Sequence, residues 1–213
     1  MLRPILTDLE GTTSSIAFVK EVLFPYARAH LREFLASHPA VRAELARHYQ
    51  VDDVTAAVDA AMAADSKETR LKQLQGLIWA DGYQRGELAA HFYGDAVAAL
   101  RAWHAAGHSL HVYSSGSVQA QHLFFRHSVA GDLEPLITGW FDTEIGGKRD
   151  PDSYRRIAAV VGAAPLFLSD VVAELDAARA AGCDTVLVDR RQDYPEPRTC
   201  DHPRVESFAA IDP

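Results

Sequence analysis

Apolar residues follow two kinds of pattern along this chain. Pro4-Ile-Leu-Thr-Asp8 is a short apolar run ending on a carboxylate, and Gly11-Thr-Thr-Ser-Ser15 behind it has loop chemistry, which predicts a strand feeding a loop. From Phe18 to about Tyr93 the period becomes helical. Val22, Leu23, Tyr26, Leu31, Phe34 and Leu35 recur at helical spacing, with Pro25 expected to kink or restart the helix. Residues 39–49, 53–64 and 66–79 predict three further helices. In the last of them Leu71, Leu74, Leu77 and Ile78 form an apolar stripe read as core, while Lys72, Gln75 and Trp79 are candidate substrate contacts.

Past Gly94 strand and helix signals alternate. Strands are predicted at 109–114, 139–141, 165–170 and 185–189, and helices at 118–127, 152–161 and 171–181. Strands separated by such helical stretches require crossover connections, and hence a mostly parallel sheet with helices on both faces. The expected fold is α/β: a core of residues 1–14 and 95–213, and a small helical cap of residues 15–94 inserted after the first strand.

At 213 residues the chain is long enough for one full core and a subsidiary unit. The 48% apolar and 23% charged content is that of a globular protein. A formal charge of −8 argues against a nucleic-acid surface, which must cluster Lys and Arg to displace counterions, but leaves room for a local basic spot that binds a small anion. No run approaches the ~18 apolar residues of a membrane span, and residues 1–10 do not read as a signal peptide, so cytoplasm is the expected compartment. Cys183 and Cys200 are too far apart in sequence for a C-x-x-C pair and read as reduced thiols.

Three predicted strands end in groups suited to phosphate chemistry: Asp8-Leu-Glu10, Ser114-Ser-Gly-Ser117 and Ser169-Asp170. The carboxyl ends of parallel strands form the crevice where ligands bind, so these groups are expected to converge there. One carboxylate of Asp8 and Glu10 can attack phosphorus while the other protonates the leaving oxygen and later deprotonates water. Asp8 and Asp170 would repel a phosphate unless a hard divalent cation, naturally magnesium, joined them. Asp170 is equally suited to cap the following helix. The serine loop opens a helix whose N-terminus favours an anion, and Gly146-Gly147-Lys148 offers a flexible approach for a cation. Taken alone, Lys148 reads as a solvated lysine.

Asp8-Leu-Glu-Gly-Thr12, Ser114 or Ser115, Lys148, and Ser169-Asp170 with Glu174 resemble, in order, the four signatures of the haloacid dehalogenase superfamily. Glu10 stands where the second Asp is usual. That departure, with Leu6 to Ser15, Phe18 to Ala27, Leu74 to Trp79, Val112 to Val118 and Phe141 to Gly146, resembles the enolase-phosphatase (acireductone synthase) family. The resemblance implies enolisation and dephosphorylation of 5-methylthio-2,3-dioxopentyl phosphate to 1,2-dihydroxy-5-(methylthio)pent-1-en-3-one in methionine salvage, through an aspartyl phosphate and with one magnesium ion in a monomer. It makes Asp8 the nucleophile and a metal ligand. Glu10 becomes the acid and base, with a metal contact through its carbonyl. Asp170 completes the metal ligands, Ser114, Ser115 and Lys148 bind the phosphate, and Glu174 stands behind them.

The rival readings are a general small-metabolite phosphatase with the same core, a dehalogenase, and a silent binding module. Retention of Asp8, Glu10, Lys148 and Asp170 together opposes the last. His104 and His108 stand four apart as zinc ligands would, but Gly107 is expected to end their helix, and His122 and His127 lack a matching carboxylate cluster nearby in sequence. Arg190-Arg191 and the Pro-rich Tyr194 to Pro203 stretch read as a solvated turn.

Overall fold

The computed structural model describes residues 2–64, 66 and 68–213. The predicted core segment begins at Met1 and the helix predicted from Ser66 runs through Lys67; both residues lie outside those described.

Six parallel strands form one sheet in the order β3-β2-β1-β4-β5-β6: β1 Ile5–Thr7, β2 Leu110–Tyr113, β3 Gly139–Phe141, β4 Leu166–Ser169, β5 Asp184–Val188 and β6 Arg204–Val205. Five of them fall within about a residue of the predicted segments. The sixth is two residues long and follows the Pro-rich stretch, too short to leave an apolar period. Thr7 lies opposite both Val112 and Leu168, so β1 is central and the ends of β1, β2 and β4 are in register. Crossover helices α6 Gly94–Ala106, α7 Val118–Arg126, α8 Pro151–Val161 and α9 Val172–Ala180 complete this part of the chain. Their ends follow local chemistry: Ser117 and Asp150 cap α7 and α8 with side-chain oxygens, and Gly107 and Gly162 close α6 and α8 in the left-handed conformation. Leu6, Tyr113, Tyr154, Phe167, Leu175 and Leu187 are among the buried side chains of the core they enclose.

The chain divides into two compact units, residues 1–16 with 89–213, and residues 17–88. The second unit is helical. A short helix α1, Ile16–Phe18, runs into a π-turn over Val19–Leu23, where the Phe24 N–H reaches back five residues to the Val19 carbonyl. Leu23 and Phe24 are both right-handed helical, so the π-turn passes directly into α2, Phe24–Ser37, and the widened turn stands just ahead of Pro25, where a kink or restart was expected. Helices α3 Pro39–Tyr49, α4 Val54–Ala63 and α5 Thr69–Gln84 follow. Helix α5 runs past Trp79 to Gln84, and Tyr26 of α2 packs against it at Gly82, where a Cβ would meet the Tyr26 hydroxyl at 2.6 Å. Of the predicted apolar stripe, Leu71, Leu74 and Ile78 are buried, but Leu77 is 42% exposed and Gln75 is buried instead. Residues 71, 74, 75, 78 and 82 are the true i, i+3, i+4 face, and position 77 falls off it.

His111 on β2 is 5% exposed, and neither ring nitrogen has a hydrogen-bond partner. Burial lowers its pKa to about 4. Because the folded value lies below the unfolded one, the stabilisation is present above pH ~6.5 and is lost as the pH falls toward 4, at most roughly 2–3 kcal/mol. His111→Leu should therefore flatten the acid limb of a stability–pH curve from denaturant melts. An unchanged slope between pH 6.5 and 4 would assign that limb to other groups.

Candidate active site

Register alone brings the three chemical groups together. Asp8 is the first residue beyond the paired part of β1, Ser114 follows β2 and Asp170 follows β4, so all three lie at the carboxyl edge of adjacent strands about 5 Å apart. The Asp8 N–H still bonds the Leu168 carbonyl at 2.9 Å, extending the ladder to the catalytic edge.

Asp8 is 3% exposed. Its Oδ1 accepts from the Leu9 N–H at 2.7 Å and from Lys148 Nζ at 2.6 Å. Lys148 is buried rather than solvated, and Glu174 lies 2.7 Å from its other side. Burial works against the lysine's charge, but the Asp8 and Glu174 carboxylates outweigh it and raise the Lys148 pKa. Glu174, which also accepts from Ser169 Oγ at 3.0 Å, is thus part of the charged cluster.

The Gly146-Gly147-Lys148 segment is pinned at the backbone. Its three carbonyls accept in turn from Tyr113 OH at 2.8 Å, Ser153 Oγ at 2.9 Å and Tyr154 OH at 2.7 Å. At Gly146, with φ of 136°, a Cβ would meet Ser153 Oγ at 2.2 Å, so the glycine serves close approach and not the expected flexibility. Sequence reasoning missed these three anchors, because buried Tyr and Ser residues carry no local sign of what they hold.

Glu10 is partly buried, with Oε2 at 3.3 Å from Ser114 Oγ. Burial, then the Asp8 charge, raise its pKa against the opposing effects of Lys148 and Ser114. Ser114 is buried, whereas Ser115 is exposed. Two N–H groups in the first turn of α7 are already occupied: Val118 donates to Asp142 Oδ2 at 2.9 Å and Ala120 to Ser117 Oγ at 3.3 Å. The serine loop before them and Lys148 are the groups placed to meet an anion at this end of the strands.

Asp170 is 1% exposed and does not cap α9. Val171 holds the N-cap position without a side-chain bond, and the Val171 N–H is taken by Ser169 Oγ at 3.1 Å. The Asp170 carboxylate turns instead toward the β1 loop and the 190–198 segment. Oδ1 accepts from Thr12 Oγ1 at 3.3 Å and Oδ2 from Tyr194 OH at 2.7 Å. Burial and then Asp8 push its pKa up to about 7, against the Tyr194 hydrogen bond. Gly11, at φ 80°, lies directly against it: a Cβ there would sit 2.3 Å from Oδ2.

Asp8, Glu10, Asp170 and Glu174 thus crowd around Lys148, and burial first, then the Asp8 charge, raise the pKa values of Glu10, Asp170 and Glu174. Hard oxygen donors with unbalanced negative charge fit a small divalent cation. Among the described residues no three His, Cys, Asp or Glu side chains gather as a metal site, and Asp8 with Asp170 makes two. His104 and His108 bond separate carbonyls, those of Leu136 and Arg3, and His122 pairs with Glu134. Within the expected solvated turn Gln192, Pro195, Glu196 and Pro197 are exposed, but Arg190 is not. Arg190 is 5% exposed, pairs with Asp95 at 2.7 Å, donates to the Thr12 carbonyl and packs against the rings of Tyr93 and Phe208. No helix among the described residues is long and apolar enough to cross a membrane.

A buried aspartate at the end of the central strand, joined to a lysine and a second acidic strand end, matches the haloacid dehalogenase-like hydrolases, whose family model covers residues 3–182; the chain belongs to that family. Within it the likeness is narrower. The chain is 53% identical to Enolase-phosphatase E1 of Xylella fastidiosa (strain M23), over 99% of this chain and 98% of the relative. It is 54% identical to Enolase-phosphatase E1 of Stenotrophomonas maltophilia (strain K279a), over 98% of each. Among solved structures, the UTR4 protein of Saccharomyces cerevisiae superposes with a TM-score of 0.84 at 32% identity, over 99% of this chain and 100% of that one.

Proposed function

We propose that this chain enolises and dephosphorylates 5-methylthio-2,3-dioxopentyl phosphate to the acireductone, as the enolase-phosphatase step of methionine salvage. The observation that carries the reading is the Asp8–Lys148 pair beside a Glu10 whose pKa is raised, on a chain half identical to enolase-phosphatases along its whole length. Lys148 and the Leu9 N–H both engage Oδ1 of Asp8, which leaves Oδ2 as the attacking oxygen.

In the first half-reaction Asp8 forms a bond to phosphorus as the bond to the enol oxygen breaks, and Glu10 delivers its proton to that oxygen. A carboxyl whose pKa is raised by burial holds a proton more readily than a free one, as an acid in that position must. In the second, water attacks the aspartyl phosphate, Glu10 takes a proton back and Asp8 is regenerated. Ser114, Ser115 and Lys148 bind the phosphoryl oxygens. Asp8, the Glu10 carbonyl and Asp170 would hold one magnesium ion, which supplies positive charge to the phosphoryl group and to a neighbouring carbonyl. The chain acts on this small phosphorylated molecule as a monomer, with residues 1–14 and 95–213 as the catalytic core and 15–94 as the cap.

The test is product identity. With the diketo phosphate and magnesium, the protein should release phosphate and the acireductone together, the latter by its enediol absorbance. Release of the unenolised diketone, at a rate no better than for simple sugar phosphates, would instead support the general phosphatase.

A further inference from the structure

We propose that Tyr194 positions the carboxylate of Asp170 for the metal, and that its neighbour Asp193 fixes the turn from which Tyr194 reaches. The inference rests on the assignment of Asp170 as a magnesium ligand. Tyr194 and Asp193 lie in a segment without regular structure, yet each is tied down at several points. The Tyr194 hydroxyl donates to Asp170 Oδ2 at 2.7 Å. Its ring stacks on the Arg198 guanidinium at 3.6 Å, and Arg198 in turn donates to the Asp170 carbonyl and pairs with buried Asp189 at 2.8 Å. Asp170 is therefore held at its side chain by Tyr194 and at its backbone by Arg198.

Asp193 anchors the same turn on its other side. Its Oδ1 accepts from Ser15 Oγ at 2.7 Å and the Ile16 N–H at 3.1 Å, and its Oδ2 accepts from Tyr93 OH at 2.6 Å. Ser15 and Ile16 lie where the chain leaves the core unit, and Tyr93 lies shortly after its return at Ala89. The Tyr194 N–H closes the turn on the Arg190 carbonyl at 2.7 Å, and Arg190 Nε bonds the Thr12 carbonyl at 3.0 Å. Thr12 is the residue whose hydroxyl meets the other oxygen of Asp170. Both carboxylate oxygens are thus oriented from one framework.

A buried carboxylate that ligates a metal needs such a partner. Without it the group rotates, or turns its free oxygen toward another donor, and each option must be reversed when the cation binds. A donor that loses nothing on metal binding removes that cost in advance. A role confined to holding the loop would leave metal affinity untouched and would show only as lost stability.

Magnesium titration by calorimetry separates these roles. Tyr194→Phe, which removes only the hydroxyl, should weaken magnesium binding by about 10- to 100-fold, the range typical of partners that orient metal ligands. Phosphate release by the variant should recover toward the parent's kcat as magnesium is raised. Asp193→Ala should weaken magnesium binding by about 3- to 10-fold, and the double variant no more than Tyr194→Phe alone, because Asp193 acts through Tyr194. Should Asp193→Ala not fold, Ser15→Ala removes one of its partners and should show a smaller shift of the same sign. A Tyr194→Phe affinity within twofold of the parent, or losses that add in the double variant, would overturn the proposal while leaving Asp170 a ligand. A parent protein that binds no magnesium would overturn the ligand assignment itself.

Discussion

Asp8→Asn is expected to stop phosphate release almost completely, by about 10⁴-fold or more, while leaving the fold intact. The amide cannot form the acyl phosphate, so the chemical step loses its nucleophile and not merely a contact. The position also tolerates the change in shape: Asn Oδ1 can still accept from the Leu9 N–H, and Lys148 keeps Glu174 at 2.7 Å. Removing one negative charge from a cluster where Asp8 raises the pKa values of Glu10, Asp170 and Glu174 relieves repulsion, so the melting temperature without metal should not fall. Enolisation is a separate step. In deuterated water, given enough magnesium to saturate it, the variant should exchange the acidic C–H of the diketo phosphate without releasing phosphate, detectable by mass spectrometry. Phosphate release within tenfold of the parent would remove Asp8 from the nucleophile role.

Gly11→Ala should be among the most damaging one-carbon changes in the core unit. An alanine at φ 80° is strained by about 1–2 kcal/mol wherever it occurs. Here its Cβ would also fall 2.3 Å from Oδ2 and 2.6 Å from Cγ of Asp170, a side chain that Thr12 and Tyr194 hold in place. Either the β1 loop or Asp170 must shift by a large fraction of an ångström, and displacement of that size costs about 100-fold in turnover. Gly182→Ala isolates the backbone contribution, since Gly182 has φ 88° and nothing within 4 Å of the added Cβ. Chemical denaturation should show Gly11→Ala losing clearly more stability than Gly182→Ala, with weaker magnesium binding in the former alone. Equal losses would show that the loop yields freely and that Asp170 is not locked.

The strands and crossovers were legible because each leaves a period in the chain, and the acidic and serine groups because they stand where those periods stop. Lys148 was legible as chemistry but not as a buried residue: nothing near it in sequence announces Asp8, 140 positions earlier. Tyr194 and Arg198 were illegible for a different reason. A stretch such as Tyr-Pro-Glu-Pro-Arg has turn composition, and composition describes the backbone while saying nothing of a hydroxyl that reaches a strand end 24 residues back. Asp170 had two readings in the sequence, helix cap and metal ligand. The first gave way to Thr12 and Tyr194, distant in sequence, whose hydroxyls engage the two carboxylate oxygens in place of the helix.

The π-turn of Val19–Leu23 works like slack in a line. Each residue of an α-helix advances it by about 100°, and a widened turn takes up an extra residue locally instead of passing that rotation on, so Ala27, Leu31, Phe34 and Leu35 bury one common face beyond it. Lys20, Glu21 and Val22 are exposed, so the widening falls where no packing depends on it. The turn buffers length: a residue gained or lost there is spent on the solvent side before it reaches the buried face.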